Sequence, residues 1–384
     1  ELDNHILIPG LINAHCHAPM TLLRGIADDL PLEDWLNKKI WPLEKKFISQ
    51  KFVEDGAELA IAEMILSGTT CFADMYFYPE HVATRAIDSN MRVQLACPVL
   101  DFPTVWAQSS DEYIQKTIRI HDDYRNSELV SVAFGPHAPY TVSDAPLEKI
   151  ATLAEELDIP IHMHIHETEK EISDSMKEFG FRPLKRLNNL GLVSPRLNCV
   201  HATQLNEDEV ELIAQSGSNI VHCPASNLKL ASGICNISQL IKSSTNVCIG
   251  TDGAASNNEL DLFKEARLAS LLAKINSQDA SSLPAHQTLE VMTINGAKAL
   301  GLETSLGSLE VGKLADITAV SLEAVNTMPI NNPLSQVVYS VNSSQVTHVW
   351  IGGRMVLRNR CLETIDMNGI KDKAKHWQHR FERG

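Results

Sequence analysis

Eight short apolar runs rich in β-branched residues recur along the chain: Ile6 to Ala14, Thr69 to Met75, Arg92 to Val99, Val130 to Gly135, Pro160 to His166, Asn198 to His201, Asn219 to His222 and Val247 to Thr251. Between most of them the apolar residues change to helical spacing. The clearest case is Lys51 to Leu66, where Val53, Ala57, Ala60, Ile61, Met64 and Ile65 share one face and Gly68 stops the helix. Leu147 to Leu157, Glu207 to Gln215 and Leu260 to Lys274 read the same way. Strands that alternate with helices pair in parallel. Eight such units predict an α/β chain built on a TIM-like (β/α)8 barrel over residues 9–307, with reactive side chains at the carboxyl ends of its strands.

After Gly307 the pattern changes. Gly312 to Val320 and Val346 to Val356 read as strands joined by turns with no intervening helix. Residues 308–365, joined by residues 1–8, are therefore expected to form a small appended β-sandwich domain, and 366–384 a polar C-terminal helix. The chain opens at Glu1 without a methionine, so upstream residues are expected to supply further strands of the small domain. With 384 residues, 44% of them hydrophobic, the chain can bury a large core. Its 33 basic against 48 acidic residues give a net charge of −15, which disfavours a nucleic-acid backbone or an anionic membrane as partner. No apolar stretch reaches the roughly 18 residues a membrane helix needs, and no signal segment opens the chain. The eight cysteines include no Cys-x-x-Cys pair and lie mostly in apolar runs, as free thiols of a reducing compartment do. These features predict a soluble cytoplasmic protein that acts on a small molecule.

The strand ends carry the chemistry. In His15-Cys16-His17 the two histidines project to one side of a strand and Cys16 to the other, so two imidazoles can share one ion. The fifth run places His162, His164 and His166 on one face, of which only the histidine at the right depth need bind metal, and Glu167 follows as the strand turns. The sixth ends at His201, the seventh at His222 and the eighth at Asp252, a carboxylate able to complete a four-ligand set that leaves one position for water. Trp35 and Trp41 are expected in loop cores. His162, His166 and His222 are expected as interior partners, and His5, His81, His121, His286, His348, His376 and His379 at the surface. The fourth strand ends in Gly135-Pro136-His137 without a lysine, which favours one metal ion over a carbamylated-lysine bridge between two.

Seven blocks in order resemble the amidohydrolase superfamily. They are Pro9 to His17, Leu23 to Leu32, Ile40 to Glu44, Gly135 to Tyr140, His164 to Thr168, Ser226 to Gly233 and Gly250 to Asn258. The likeness is to its branch of 5′-methylthioadenosine/S-adenosylhomocysteine deaminases, with triazine hydrolases and guanine deaminases as relatives, and it covers nearly the whole chain. It implies that His15, His17, His164 and Asp252 bind one divalent metal, usually Zn2+, with Glu167 and His201 acting beside it, and that Glu44 and His137 hold a nucleoside. The spacing itself leaves zinc, iron, nickel and manganese open. Some relatives use an arginine after the third barrel strand, and Ala96 to Pro103 offers none.

The implied reaction is hydrolytic deamination of 5′-methylthioadenosine, S-adenosylhomocysteine or adenosine to the inosine analogue, by attack of a metal-bound hydroxide on purine C6. Glu167, three residues past His164, would shuttle a proton from water to N1, Asp252 would pass the second to the departing amine and His201 would orient the nucleophile. The alternatives are guanine deamination, hydrolysis of an amino- or chlorotriazine, or a scaffold without catalysis, the last disfavoured by four intact ligand positions. Relatives of this kind assemble as homodimers or homotetramers, which is the expectation here.

Overall fold

The computed structural model describes residues 2–383. Its main body is an eight-stranded sheet of parallel pairs, taken in chain order: β2 (Leu11–Cys16), β3 (Thr69–Asp74), β4 (Arg92–Val99), β5 (Val130–Pro136), β6 (Ile161–Ile165), β7 (Leu197–His201), β8 (Asn219–His222) and β9 (Asn246–Ile249). The ring closes just past β9, where the Thr251 N–H donates to Asn13 Oδ1 at 3.0 Å and the Asp252 N–H to the His15 carbonyl at 3.0 Å. The (β/α)8 barrel predicted from the sequence is thus present.

One expected strand is two. Ile6 to Ala14 divides at Gly10 into β1 (His5–Pro9) and β2, which belong to different sheets. A side chain at Gly10 would put its Cβ 2.1 Å from Thr70 Oγ1, so only glycine lets the chain cross there. β1 pairs antiparallel with β10 (Ile317–Ser321), which pairs with β11 (Val346–Ile351), then β12 (Arg354–Arg358) and β13 (Cys361–Leu362). Among the described residues this appended unit is a single antiparallel sheet. Contrary to the helix-free reading, it also holds the helix Pro333–Tyr339, capped by Asn332, whose side chain accepts from the Ser335 N–H.

Below the mouth, a helix at Ile294–Ala299 closes the barrel floor. Asn198 Nδ2 donates to the Ala299 carbonyl at 2.9 Å and Gln94 Nε2 to the Leu300 carbonyl at 3.0 Å. A ridge of small residues (Ala14, Val200, Val221, Cys223, Cys248) packs onto Ala299 of that floor, and the cavity that holds the site residues lies at the strand C-termini. The C-terminal helix runs Met367–Glu382 and is less polar in effect than its sequence. Trp377, 1% exposed, packs against Phe52 and donates its Nε1–H to Asp55 Oδ2 at 3.0 Å, docking the helix on Gln50–Leu66. All eight cysteines are free, seven of them buried. No described helix is long and apolar enough to cross a membrane.

Candidate active site

The pairing register of β2 with β3 shifts between Asn13 and Cys16. The shift matters because Ala14 packs on the floor while His15, its neighbour, turns to the mouth beside His162. His15 is fully buried, with Nδ1 at 2.8 Å from His162 Nε2 and no hydrogen-bond partner for Nε2. His17 donates its Nδ1–H to the Met75 carbonyl at 2.5 Å, and His164 its Nδ1–H to the His137 carbonyl at 2.7 Å. Both bonds fix the tautomer that leaves Nε2 bare. His15 and His17 place Nε2 at 3.5 and 3.3 Å from Asp252 Oδ1.

Ligand atoms gather in two groups within 4.8 Å, His15 with His17 and Asp252, and His15 with His164 and His201. The bare Nε2 atoms of His15, His17 and His164 beside the Asp252 carboxylate in a buried site are what a divalent cation of intermediate softness requires, so these four residues fit a metal.

The charges agree with that use. Burial opposes ionisation of Asp252, yet the rings of His15, His17 and His201 outweigh it and hold the carboxyl well below its ordinary range. Its Oδ2 accepts from Ser226 Oγ at 2.6 Å and Ser256 Oγ at 2.9 Å, which orients the group. Burial lowers His15 to about 4 and holds His164 well below its ordinary value, which favours the neutral ring in both. Glu167 is pushed up to about 8 by burial and by the charge of Asp252. Its backbone N–H and that of His166 each donate at 2.9 Å to the two carboxylate oxygens of Glu171.

His201, at a positive φ of 75° where β7 ends, swings into the site with Nε2 at 3.7 Å from Glu167 Oε2. Asn227 Nδ2 donates to its Nδ1 at 3.0 Å, so the ring proton sits on Nε2 and faces the site.

Above this cluster lies a cavity of about 560 Å³ that takes in His17, His164, Glu167, His201 and Asp252 at its inner end and Glu44 and His137 on its walls. Glu44, on the helix Trp41–Phe47, accepts from the Tyr76 hydroxyl at 2.6 Å through Oε1 and is pushed up to about 7 by burial. His137 is lowered to about 4 by burial and holds Thr141 Oγ1 at 3.1 Å.

The site residues expected from the sequence therefore border one cavity, except His15, which is fully buried beside His17 and Asp252, but some neighbours do not behave as expected. Trp35 sits in the core as expected while also bordering the cavity, whereas Trp41 is exposed at the cavity and not in a loop core. His166 leaves the face of His162 and His164, because its φ of 57° turns it away, and its Nε2 accepts from the Leu184 N–H at 3.1 Å. His222 is buried with neither ring nitrogen hydrogen-bonded, and His348, read as a surface residue, is 7% exposed and stacked on Trp350. Tyr76, Glu171, Ser226, Asn227 and Ser256 had no assigned role. Ser226 and Asn227 lie just past a strand end, which is the signal that could have found them.

A model of the amidohydrolase family matches residues 6–356. The chain belongs to that family. This amidohydrolase is 51% identical over 381 residues to a 5-methylthioadenosine/S-adenosylhomocysteine deaminase of Teredinibacter turnerae, covering 99% of this chain and 86% of the relative. It is 40% identical over 375 residues to a 5′-deoxyadenosine deaminase of Methanothermobacter thermautotrophicus, covering 96% and 86%. Among solved structures, an adenosine deaminase from Xanthomonas campestris with bound zinc superposes with a TM-score of 0.98 at 48% identity, covering 99% of this chain and 87% of that one. As an amidohydrolase, the chain is a metal-dependent hydrolase acting on carbon–nitrogen bonds.

Proposed function

We propose that this amidohydrolase hydrolyses the 6-amino group of adenine nucleosides, 5′-methylthioadenosine, S-adenosylhomocysteine and adenosine among them, releasing ammonia and the inosine analogue. The observation that carries the reading is Glu167, buried and 3.7 Å from His201, standing over the cluster of histidines and Asp252 at the closed end of a nucleoside-sized cavity. The names of the relatives support it. His15, His17, His164 and Asp252 would hold one divalent ion, Zn2+. When bound, that ion supplies the Lewis acidity that makes water nucleophilic near neutral pH.

The chain's own groups then move the protons. As the water oxygen bonds to C6, Glu167 takes one of its protons and delivers it to N1, a shuttle typically worth ~10²–10⁴-fold. His201, with its proton on Nε2, orients the oxygen. Asp252 takes the second proton from the oxygen and passes it to the amino group, the C6–N bond breaks, and ammonia leaves a C6 carbonyl with N1 protonated. His137 faces the ring nitrogens of the base and Glu44 the ribose hydroxyls. Residues 9–307 then make up the catalytic barrel and 2–8 with 308–365 the appended domain, followed by the terminal helix Met367–Glu382. The acidic charge and the free cysteines support a soluble, cytoplasmic protein.

Ammonia release from adenosine, the two thio-nucleosides, guanine and a chlorotriazine tests the reading, with Glu167→Gln as control. Turnover of the adenine nucleosides that falls ~10²–10⁴-fold in the variant, with metal content unchanged, is the expected result. Activity confined to guanine or the triazine would overturn it.

A further inference from the structure

The chemistry of the outer cavity narrows the substrate further, an inference that rests on the deaminase reading. C6 and the ribose lie at opposite ends of an adenine nucleoside. With C6 at the histidine cluster, the 5′ substituent must point to the outer end. That end is built by two segments: residues 32–48 after the first barrel strand and residues 100–105 after the third. The apolar side chains that these two segments bring to the cavity include Leu36, Ile40, Ile48, Leu100, Phe102 and Val105.

Four of the large apolar side chains the protein leaves exposed, Trp41, Phe102, Val105 and Tyr140, ring this one mouth. Exposed apolar surface gathered at a cavity mouth marks a place that a ligand covers. The second segment is also held in place. The Tyr78 hydroxyl donates to the Val105 carbonyl at 2.8 Å, the Tyr113 hydroxyl to Thr104 Oγ1 at 2.6 Å, and Lys116 Nζ to the Trp106 carbonyl. These bonds anchor the backbone of Val105 and Trp106 and the side chain of Thr104 beside the cavity.

The amino-acid tail of S-adenosylhomocysteine carries an ammonium and a carboxylate, and each needs a partner once it leaves water. No arginine lines the cavity. Its one lysine, Lys45, is exposed at the rim, where water screens it. Of its carboxylates, Glu167 and Asp252 lie at the inner end, and Glu44 is engaged by Tyr76.

We infer that the outer cavity selects adenine nucleosides with a small, uncharged, apolar 5′ substituent, of the methylthio or deoxy type, and discriminates against those with an amino-acid tail. The methylthio group covers Phe102 and Val105 without asking for a counter-charge. The charged tail must either stay unpaired against this wall or remain in solvent and leave it uncovered.

The test is kcat/KM for 5′-methylthioadenosine and S-adenosylhomocysteine on the metal-replete enzyme, with adenosine as control, and Kd for the two thio-nucleosides on Glu167→Gln. The expected result is a preference of about 10²-fold for 5′-methylthioadenosine in both measurements. Val105→Arg, which adds a cation to the wall, should narrow the ratio about tenfold, and Lys45→Ala should leave it unchanged. A wild-type ratio within about threefold of unity overturns the inference, as does a selective loss of S-adenosylhomocysteine activity in Lys45→Ala, which would make that lysine the partner of the tail. Absence of turnover on all three nucleosides overturns the deaminase reading instead, and the Kd ratio then still decides the selectivity.

Discussion

Each histidine of the cluster is made useful by what its other nitrogen does. His17 and His164 spend Nδ1 on carbonyls, which leaves Nε2 bare, whereas Asn227 fills Nδ1 of His201 and leaves a proton on its Nε2. The same accounting applies to Glu44: Tyr76 takes Oε1, so Oε2 is the oxygen left for a ribose hydroxyl. Glu44→Gln should therefore lower kcat/KM for adenosine by about 10- to 100-fold, mainly through KM, as expected for losing a charge-assisted hydrogen bond of about 1.5–3 kcal/mol. The control is 2′,3′-dideoxyadenosine, whose kcat/KM should be the same with either enzyme; a drop there too would assign Glu44 a structural role. Period-2 alternation made the shared face of His15 and His17 legible. It could not reveal the slip in pairing that puts Ala14 on the floor and His15 in the mouth, because a bulge is set by the neighbouring strand. Tyr76 was equally hidden, since nothing local ties it to a glutamate 32 positions away.

Local punctuation placed most element ends within three residues, Gly68 among them, because caps and breakers act within one turn. Ile6 to Ala14 failed for a complementary reason: its apolar pattern runs unbroken through Gly10, and only the partners, Ile317 to Ser321 on one side and Thr69 to Asp74 on the other, divide it. The short helix Pro333–Tyr339 carries two adjacent valines that read as strand, and packing overrides that propensity.

Helices also bury carboxyls whose titration shapes stability. Glu265 accepts the Ala225 N–H at 3.1 Å and Asn257 Nδ2 at 2.8 Å, and Glu171 caps the turn before its helix; burial pushes both up to about 8. A folded-state value above the unfolded one means the folded protein keeps protons that the unfolded chain has lost, so their contribution shrinks as pH rises from the unfolded value near 4.5 through about 8. Buried His137 and His166, lowered to about 4, act oppositely, and their effect is complete by about pH 6.5. Metal-free protein should therefore lose stability between about pH 6.5 and 8, each carboxyl contributing a slope of up to about 1.4 kcal/mol per pH unit. Urea midpoints across that window should fall for the wild type and fall less steeply for Glu265→Gln. Parallel curves would show that Glu265 is already ionised in the folded state.

At the scale of the molecule, the fold class was readable because eight repeated units leave few alternatives, but the join between the barrel and the appended sheet was not. That join depends on a pair 224 positions apart. Arg92 opens β4 at the end of the barrel away from the cavity, and its Nε and Nη2 meet Asp316 Oδ2 and Oδ1 at 2.8 and 3.1 Å. Asp316 Oδ1 also accepts the Gly352 N–H at 2.7 Å, and Arg92 Nη1 donates to the Glu128 carbonyl at 2.5 Å, so both ions are hydrogen-bonded to backbone as well as to each other. Both are almost fully buried, 5% exposed each, which makes removal of one partner more costly than removal of both. Asp316→Asn should lower unfolding stability by about 3–5 kcal/mol, because it strands the guanidinium in a dry join. Arg92→Leu combined with Asp316→Leu should recover much of that loss, since apolar groups of similar size need no counter-charge. Neither change reaches the cavity, so kcat/KM for adenosine should stay within about twofold of wild type at temperatures where the variants are folded. Equilibrium denaturation and turnover on the same preparations separate the outcomes. Stability lost with activity kept makes the pair a mechanical tie at the stable end of the barrel, whereas activity lost in the folded variants would mean that the appended sheet positions the strands whose far ends carry His15 and Asp252.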